Sequence, residues 1–488
     1  MNATRNDGPK SVSSTASNAA GGPTSLTVVG LLSLVLGALL GLSLLKFGNP
    51  VILDRQVGAP SGILDALPLT VSWPASWGQG LVLLFSLATV GLMIFSRSSP
   101  LPGRARQAWL WLPPVLWLIW QGISAGRTVD AELTSFTLPH FAALVACYAI
   151  GLFVVSREGT PRLLLVFLLT GFVVCLVRGV NQHQVEFKRD RQTLVDGEKS
   201  GWKEFPPAVL EQMRSDGLIV HTNQVDIANP MILLKLQKGR IHGTLVYPNA
   251  LAGAILLLFP AMLTLAVFGT GTLRPPIRYL LLALVAFLGL GCLYWTGSKS
   301  GWLIALGLVG VRLIGSQIPR RFRLPLLAAV VVVGLAAFGI RFRAYFSAGA
   351  TSVGARFDYW HAAASTAVSN PLTGTGPGTF QRPYGRLKSP DAEMARLVHN
   401  DYLEQFSDSG IPGGLLYLAW VGSLVVAVGR HALQSRQPVL QALALGVLAW
   451  FAQGFVEFGL YIPALSWSAF TLAGVLAALP VERDEADA

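Results

Sequence analysis

Long apolar runs recur along most of this chain, and they constrain its fold more than any other feature. They lie at Leu26–Leu45, Gly80–Ser96, Trp109–Ser124, Leu138–Val155, Leu163–Val180, Ala250–Phe268, Ile277–Trp295, Gly301–Ile314, Leu324–Ile340, Pro412–Gly429, Val439–Leu460 and Pro463–Leu479. A run of about 18 residues crosses the hydrocarbon core of a bilayer as a helix. A spanning segment must also satisfy its own backbone hydrogen bonds. The pattern predicts an all-α polytopic membrane protein with about twelve transmembrane helices. Composition agrees, with 52% hydrophobic and 13% charged residues, where a soluble domain carries about 25% charged. The net charge of +12 is explained by basic residues flanking helices, so no nucleic-acid partner is expected. Cys147, Cys175 and Cys292 fall inside apolar runs and read as small buried hydrophobes.

Basic residues in the short connections set the orientation. Arg97/Arg104/Arg106, Arg157/Arg162, Arg274/Arg278, Arg312/Arg320/Arg321/Arg323 and Arg430/Arg436 share one side if the spans alternate. Short loops rich in Lys and Arg mark the cytoplasmic face. Both termini are then cytoplasmic, as a disordered tail 1–23 and a tail 481–488 around a single membrane domain 24–480. The long connections 46–79, 181–249 and 341–411 then face outside. In the second, Pro206-Pro207 opens a short helix that stops near Gly217.

The connection 341–411 is polar on average and holds most of the chemistry-bearing residues. Phe357, Trp360, Ala364 and Val368 recur at helical spacing, predicting an amphipathic helix with Arg356 in its first turn. Arg356 reads either as a partner of Asp358, or a headgroup-seeking arginine, or a bidentate phosphate clamp. Gly374-x-Gly376-Pro377-Gly378 is turn chemistry. Asp401 with Glu404 suggests a capping box for a helix ending at Gly410. His399 would then precede a helix N-terminus, where free N–H groups favour an anion and an imidazole can act as general base or bond to backbone.

Elsewhere, Lys299 lies in the tight turn Gly297–Gly301, either reaching toward headgroups or facing a phosphate. Glu457 lies near the end of the run Val439–Leu460, as a functional group or an ion-pair partner. Arg240 and Asn249 flank Gly243–Pro248, with Asn249 suited to an N-cap.

These pieces, in this order, make the chain resemble the bacterial O-antigen ligase and O-antigen polymerase superfamily from Arg240 to Leu460. They are Arg240-x-x-Gly243 to Asn249, Thr296-Gly297-Ser298-Lys299-Ser300-Gly301-Trp302, Arg356-x-x-x-Trp360, Pro371-Leu372-x-Gly374-x-Gly376, His399-Asn400-Asp401-Tyr402-Leu403 and Gly410-Ile411-x-Gly413. Lys299 stands where many members have Arg, keeping the charge but losing the bidentate fork. The resemblance implies transfer of a glycan from undecaprenyl diphosphate to an acceptor hydroxyl of a glycolipid or glycan, outside the inner membrane and with inversion. It implies His399 as base, with Arg356, Lys299 and Arg240 on the diphosphate. Asn249, Asn400, Asp401, Glu457 and Trp360 support them. Neither a metal nor another cofactor is expected. Polymerase and ligase share these motifs. A small-solute, bicarbonate-like transporter is the reading from another class, and it would call for two related halves and polar breaks at the midplane.

Overall fold

The computed structural model describes residues 27–95, 103–222, 225–314, 318–343, 345 and 351–481. The predicted tail 1–23 and residues 482–488 lie outside the described residues.

A helix stands at each of the predicted apolar runs. These are α1 (Val28–Lys46), α2 (Ala75–Phe95), α3 (Ala108–Ala125), α4 (Ala131–Phe153) and α5 (Arg162–Asn181). After the second long connection, which holds α6 (Phe187–Ser200), α7 (Pro207–Ser215) and α8 (Pro230–Lys238), come α9 (Pro248–Gly269), α10 (Pro275–Thr296), α11 (Lys299–Ile314) and α12 (Arg320–Arg341). Helices α13 (Thr351–Ser369) and α14 (Gln381–Leu387) precede α15 (Asp401–Gln434), α16 (Pro438–Gln453) and α17 (Pro463–Ala478). Eight of these helices are long and apolar enough to cross a membrane, and the apolar α16 and α17 are shorter. The chain is a multi-pass membrane protein.

The centre of the bundle is α17, all of whose residues are buried. It carries no charged residue, and its hydroxyls, on Ser466, Ser468 and Thr471, each donate to a carbonyl four positions back, as suits a fully enclosed helix. Its closest neighbour is α4. Gly151 makes that approach possible, because a Cβ there would collide with the carbonyl of Thr471. Small residues at such crossings let helix backbones meet, which drives association where lipid is as apolar as leucine. Pairs α1 with α5, α9 with α16, and α3 with α15 surround this centre.

Four expectations need correction. First, the run Val439–Leu460 does not stay helical: α16 ends at Gln453, and 454–462 form a turn that carries Glu457. Second, the connection 181–249 does not begin as a loop. The α5 helix continues through a π turn at Gln182–Glu186 into α6 (Phe187–Ser200). Third, the chain is not purely helical. β1 (Ile219–Thr222) and β2 (Val225–Ala228) pair antiparallel, Ile219 opposite Ala228, because β-branched residues (Ile219, Val220, Thr222, Val225, Ile227) dominate there. They follow α7 (Pro207–Ser215) and precede α8 (Pro230–Lys238), and Leu194, Trp202, Met213 and Ile219 give this segment a small core of its own. Fourth, the predicted apolar stripe of α13 faces outward except at Trp360, which is half-buried and lines a cavity. Phe357 and Val368 are 60% and 78% exposed, while Ala362, Ala363, Thr366 and Ala367 are buried. The small side chains permit close packing on α15, and this outweighs the larger transfer energy of the bulky ones.

The ends of the bundle segregate. Arg104 donates to Leu479 O at 3.1 Å, and Thr160 donates to Gln437 at 2.9 Å. These contacts join the connection that holds Arg104 to the end of α17, and the connection after α4 to the one before α16. The connections 181–249 and 341–411 both contribute residues to one cavity.

Candidate active site

Glu457 is the residue on which the site converges. Its Oε1 accepts from Arg356 Nη2 at 2.6 Å and from Asn249 Nδ2 at 2.6 Å. Its Oε2 lies 3.5 Å from His399 Nδ1. Asn249 also accepts from Arg240 Nη2 at 3.0 Å. A connected set therefore runs Arg240–Asn249–Glu457–Arg356, with His399 beside it. Glu457 is an ion-pair partner, as one reading allowed; it is buried behind Asn249, Arg356 and His399, which line the cavity.

Local structure explains how a loop residue becomes this well placed. Asp401 binds both ends of the turn carrying Glu457. Its N–H donates to Gly454 O at 2.8 Å, and its carboxylate accepts from Leu460 N at 3.2 Å. Asp401 is thus not the N-cap expected from the sequence. The cap is Asn400, whose Oδ1 accepts from Tyr402 N and Leu403 N, each at 3.0 Å. The adjacent amide wins because Asn400 has extended backbone geometry, whereas Asp401 is already helical. Glu404, 0% exposed, accepts instead from Val398 N at 3.2 Å. The N–H groups expected to await an anion at this helix end are therefore already bonded. The predicted end of the helix does appear, since Gly410 breaks it with φ 69°.

Between these restraints the backbone of His399 is left-handed, with φ 56°. Such a conformation is uncommon for a residue with a side chain and persists where surrounding bonds impose it. It turns the imidazole into a slot between Tyr359, stacked at 5.8 Å, and Phe458, edge-on at 4.7 Å.

Arg356 lies in the second turn of α13, not its first, because that helix begins at Thr351. Its partner is Glu457, and its Nε is buried without a hydrogen bond. Asn249 is not the cap that its position suggested. Tyr247 precedes the helix, Pro248 opens it, and the Asn249 side chain is spent on Arg240 and Glu457. Arg240 is further held by Thr296 O at 2.7 Å. Burial lowers its guanidinium pKa, Arg356 adds to this, and Glu457 opposes it. Lys299, first residue of α11, lies over the Tyr345 ring at 3.8 Å. Trp360 packs edge-on against Phe357 at 5.4 Å.

Arg240, Asn249, Lys299, Arg356, Trp360 and His399 all line one cavity of about 780 Å³. Tyr359, Tyr384 and Glu393 line it too and were not singled out from sequence. Only Tyr359 left a signal, beside Trp360 and one position after Asp358. A second, apolar cavity of about 300 Å³ adjoins it and shares Leu303 and Phe338 with the first. It runs between α10, α11 and α12 past Leu306, Val309 and Ala337. A third, of about 390 Å³, shares Leu293, Ala305 and Val309 with the second and extends the apolar track to Arg312.

Residues 284–418 match the family model described as O-antigen ligase. That segment belongs to the O-antigen ligase and polymerase superfamily. Its members are glycosyltransferase-like ligases and polymerases, which supports an enzymatic role in general. The match includes Lys299, Arg356, Trp360, His399, Asn400 and Asp401. Arg240, Asn249 and Glu457 lie outside it; the fold brings Arg240 and Asn249 to the same cavity and Glu457 behind its lining residues. No curated protein matches the chain.

Proposed function

We propose that this protein is a ligase that moves an oligo- or polysaccharide from undecaprenyl diphosphate to a hydroxyl of a glycolipid or glycan. The reaction takes place at the outer face of the bacterial inner membrane, with both termini in the cytoplasm. The observation that carries this reading is the continuity of two unlike cavities. A cation-lined chamber holding Arg240, Lys299 and Arg356 opens into an apolar track along α11. A lipid-linked diphosphate has the same two parts, a doubly anionic head and a long hydrocarbon tail.

The chemistry follows from the residues. The acceptor oxygen attacks the anomeric carbon as the bond from that carbon to the diphosphate oxygen breaks. His399 takes the acceptor proton, and Glu457 beside Nδ1 stabilises the imidazolium that forms. Charge develops on the departing diphosphate, where Arg356 and Lys299 stabilise it in a partly dry site. Asn249 and Glu457 hold Arg240 and Arg356 in place. One displacement inverts the anomeric centre. These cations supply the charge stabilisation, so the step needs no metal ion.

The lipid-linked glycan profile of cells lacking the protein tests the ligase assignment. Long chains retained on the carrier are expected. Single repeat units on the carrier would instead assign the chain as a polymerase, and an unchanged profile would remove it from this reaction.

A further inference from the structure

The helix α14 separates the cavity described above from a second cleft. Tyr384 lines the first, whereas Arg382, Pro383 and Arg386 line the second, of about 240 Å³. Ser369 and Asn370, at the end of α13, form the facing wall. We propose that this second cleft is a subsite for an anionic sugar, one carrying a carboxylate or a phosphate. The proposal rests on the glycan-transfer reading and adds to it the charge of a sugar recognised away from the reacting bond.

The two arginines differ in their commitments. Arg382 is already neutralised, because its Nε and Nη2 each reach Asp130 Oδ2 at 2.5 Å. Asp130 is in turn fixed as the N-cap of α4, accepting from Glu132 N and Leu133 N at 3.1 Å. Arg386 makes no ion pair or side-chain hydrogen bond among the described residues, so its guanidinium is available to a ligand. A planar fork of N–H donors matches a carboxylate or phosphate and is poorly matched by a neutral hydroxyl.

The cleft is also amphipathic. Val129, Pro383 and Leu387 supply an apolar side, which suits the C–H face of a pyranose. The floor is rigid: Val129 N donates to Thr375 O at 2.8 Å, and Gly376 N donates to Asp408 O at 2.8 Å. One helix with its side chains is about 10 Å across, so the cleft lies within reach of a neighbouring sugar of a chain whose end occupies the first cavity.

The test uses full-length protein in lipid nanodiscs. The probes are a polyprenyl-diphosphate-linked oligosaccharide and an acceptor glycolipid, each made with a uronic acid or a phosphorylated sugar and with the neutral sugar in its place. The wild type should bind the acidic form of one probe about tenfold more tightly or better, the size of a hydrogen bond to a charged group. The probe that shows the preference identifies donor or acceptor as the source. Arg386→Ala should remove the preference while leaving affinity for the neutral form unchanged, which also reports an intact fold. Arg386→Lys should restore part of it. Absence of any preference in both arms, or a preference that survives Arg386→Ala, overturns the subsite. If transfer is abolished by Arg356→Ala and His399→Ala while Arg386→Ala changes nothing, the subsite alone falls. If transfer survives those two variants, the reaction assigned to the first cavity falls.

Discussion

Arg356 and Glu457 are 101 positions apart in the chain and 2.6 Å apart in space. The contact joins α13 to the turn after α16, and it places a cation where its remaining N–H groups face the cavity.

Arg356→Ala should weaken donor binding and turnover together, by roughly 10²-fold in turnover, the size of one lost electrostatic donor at a reacting centre. Arg356→Lys should recover only part, since the fork is lost. His399→Ala should spare donor binding and lower turnover by roughly 10²–10⁴-fold, as loss of a general base does. Donor affinity and turnover are measured for each variant at matched expression in membranes. Near-normal turnover in folded His399→Ala would reduce His399 to a structural residue.

Glu457→Ala should lower turnover at least about tenfold, because Arg356, Asn249 and His399 all lose their shared partner. Glu457→Gln keeps one acceptor oxygen and should lose less. Equal damage from both variants would mean that the carboxylate charge, and not the hydrogen-bonding geometry, is what matters. The comparison is made on initial rates at saturating donor.

The segment 341–411 should face outside the cell membrane. Ser389 is exposed near its middle. A cysteine introduced by Ser389→Cys should react with an impermeant thiol reagent in intact spheroplasts. Labelling that appears only after lysis would reverse the orientation and move the site to the cytoplasmic face.

Transfer should persist in chelator. The assay uses purified protein and lipid-linked donor, with and without EDTA. A loss of activity that Mg²⁺ or Mn²⁺ restores would show that the cations of the cavity do not suffice for the leaving group.

The apolar runs by themselves determined the helices. Each predicted run holds a helix in the structure, although the run Val439–Leu460 leaves it at Gln453, because a long uncharged segment closes its own backbone hydrogen bonds in a membrane. The local signals of Pro207 and Gly410 were legible for a similar reason: a proline opens a helix and a glycine at φ 69° breaks one through backbone geometry alone. Even the candidate residues could be named, since Arg, Lys and His in polar connections stand out against an apolar chain. What they touch was decided only by tertiary structure. Asn249 has the position of a cap and the role of a bridge, because Pro248 opens α9 and leaves the amide to reach Arg240 and Glu457. Asn400 displaced Asp401 as cap, and Asp401 was freed to bind both ends of the turn carrying Glu457. The stripe on α13 turned outward because alanines approach α15 more closely than Phe357 and Val368 can. In each case several partners compete for one polar group or one face. The outcome depends on distances of a few ångströms between segments remote in the chain, and periodicity and spacing along one segment carry no record of those distances.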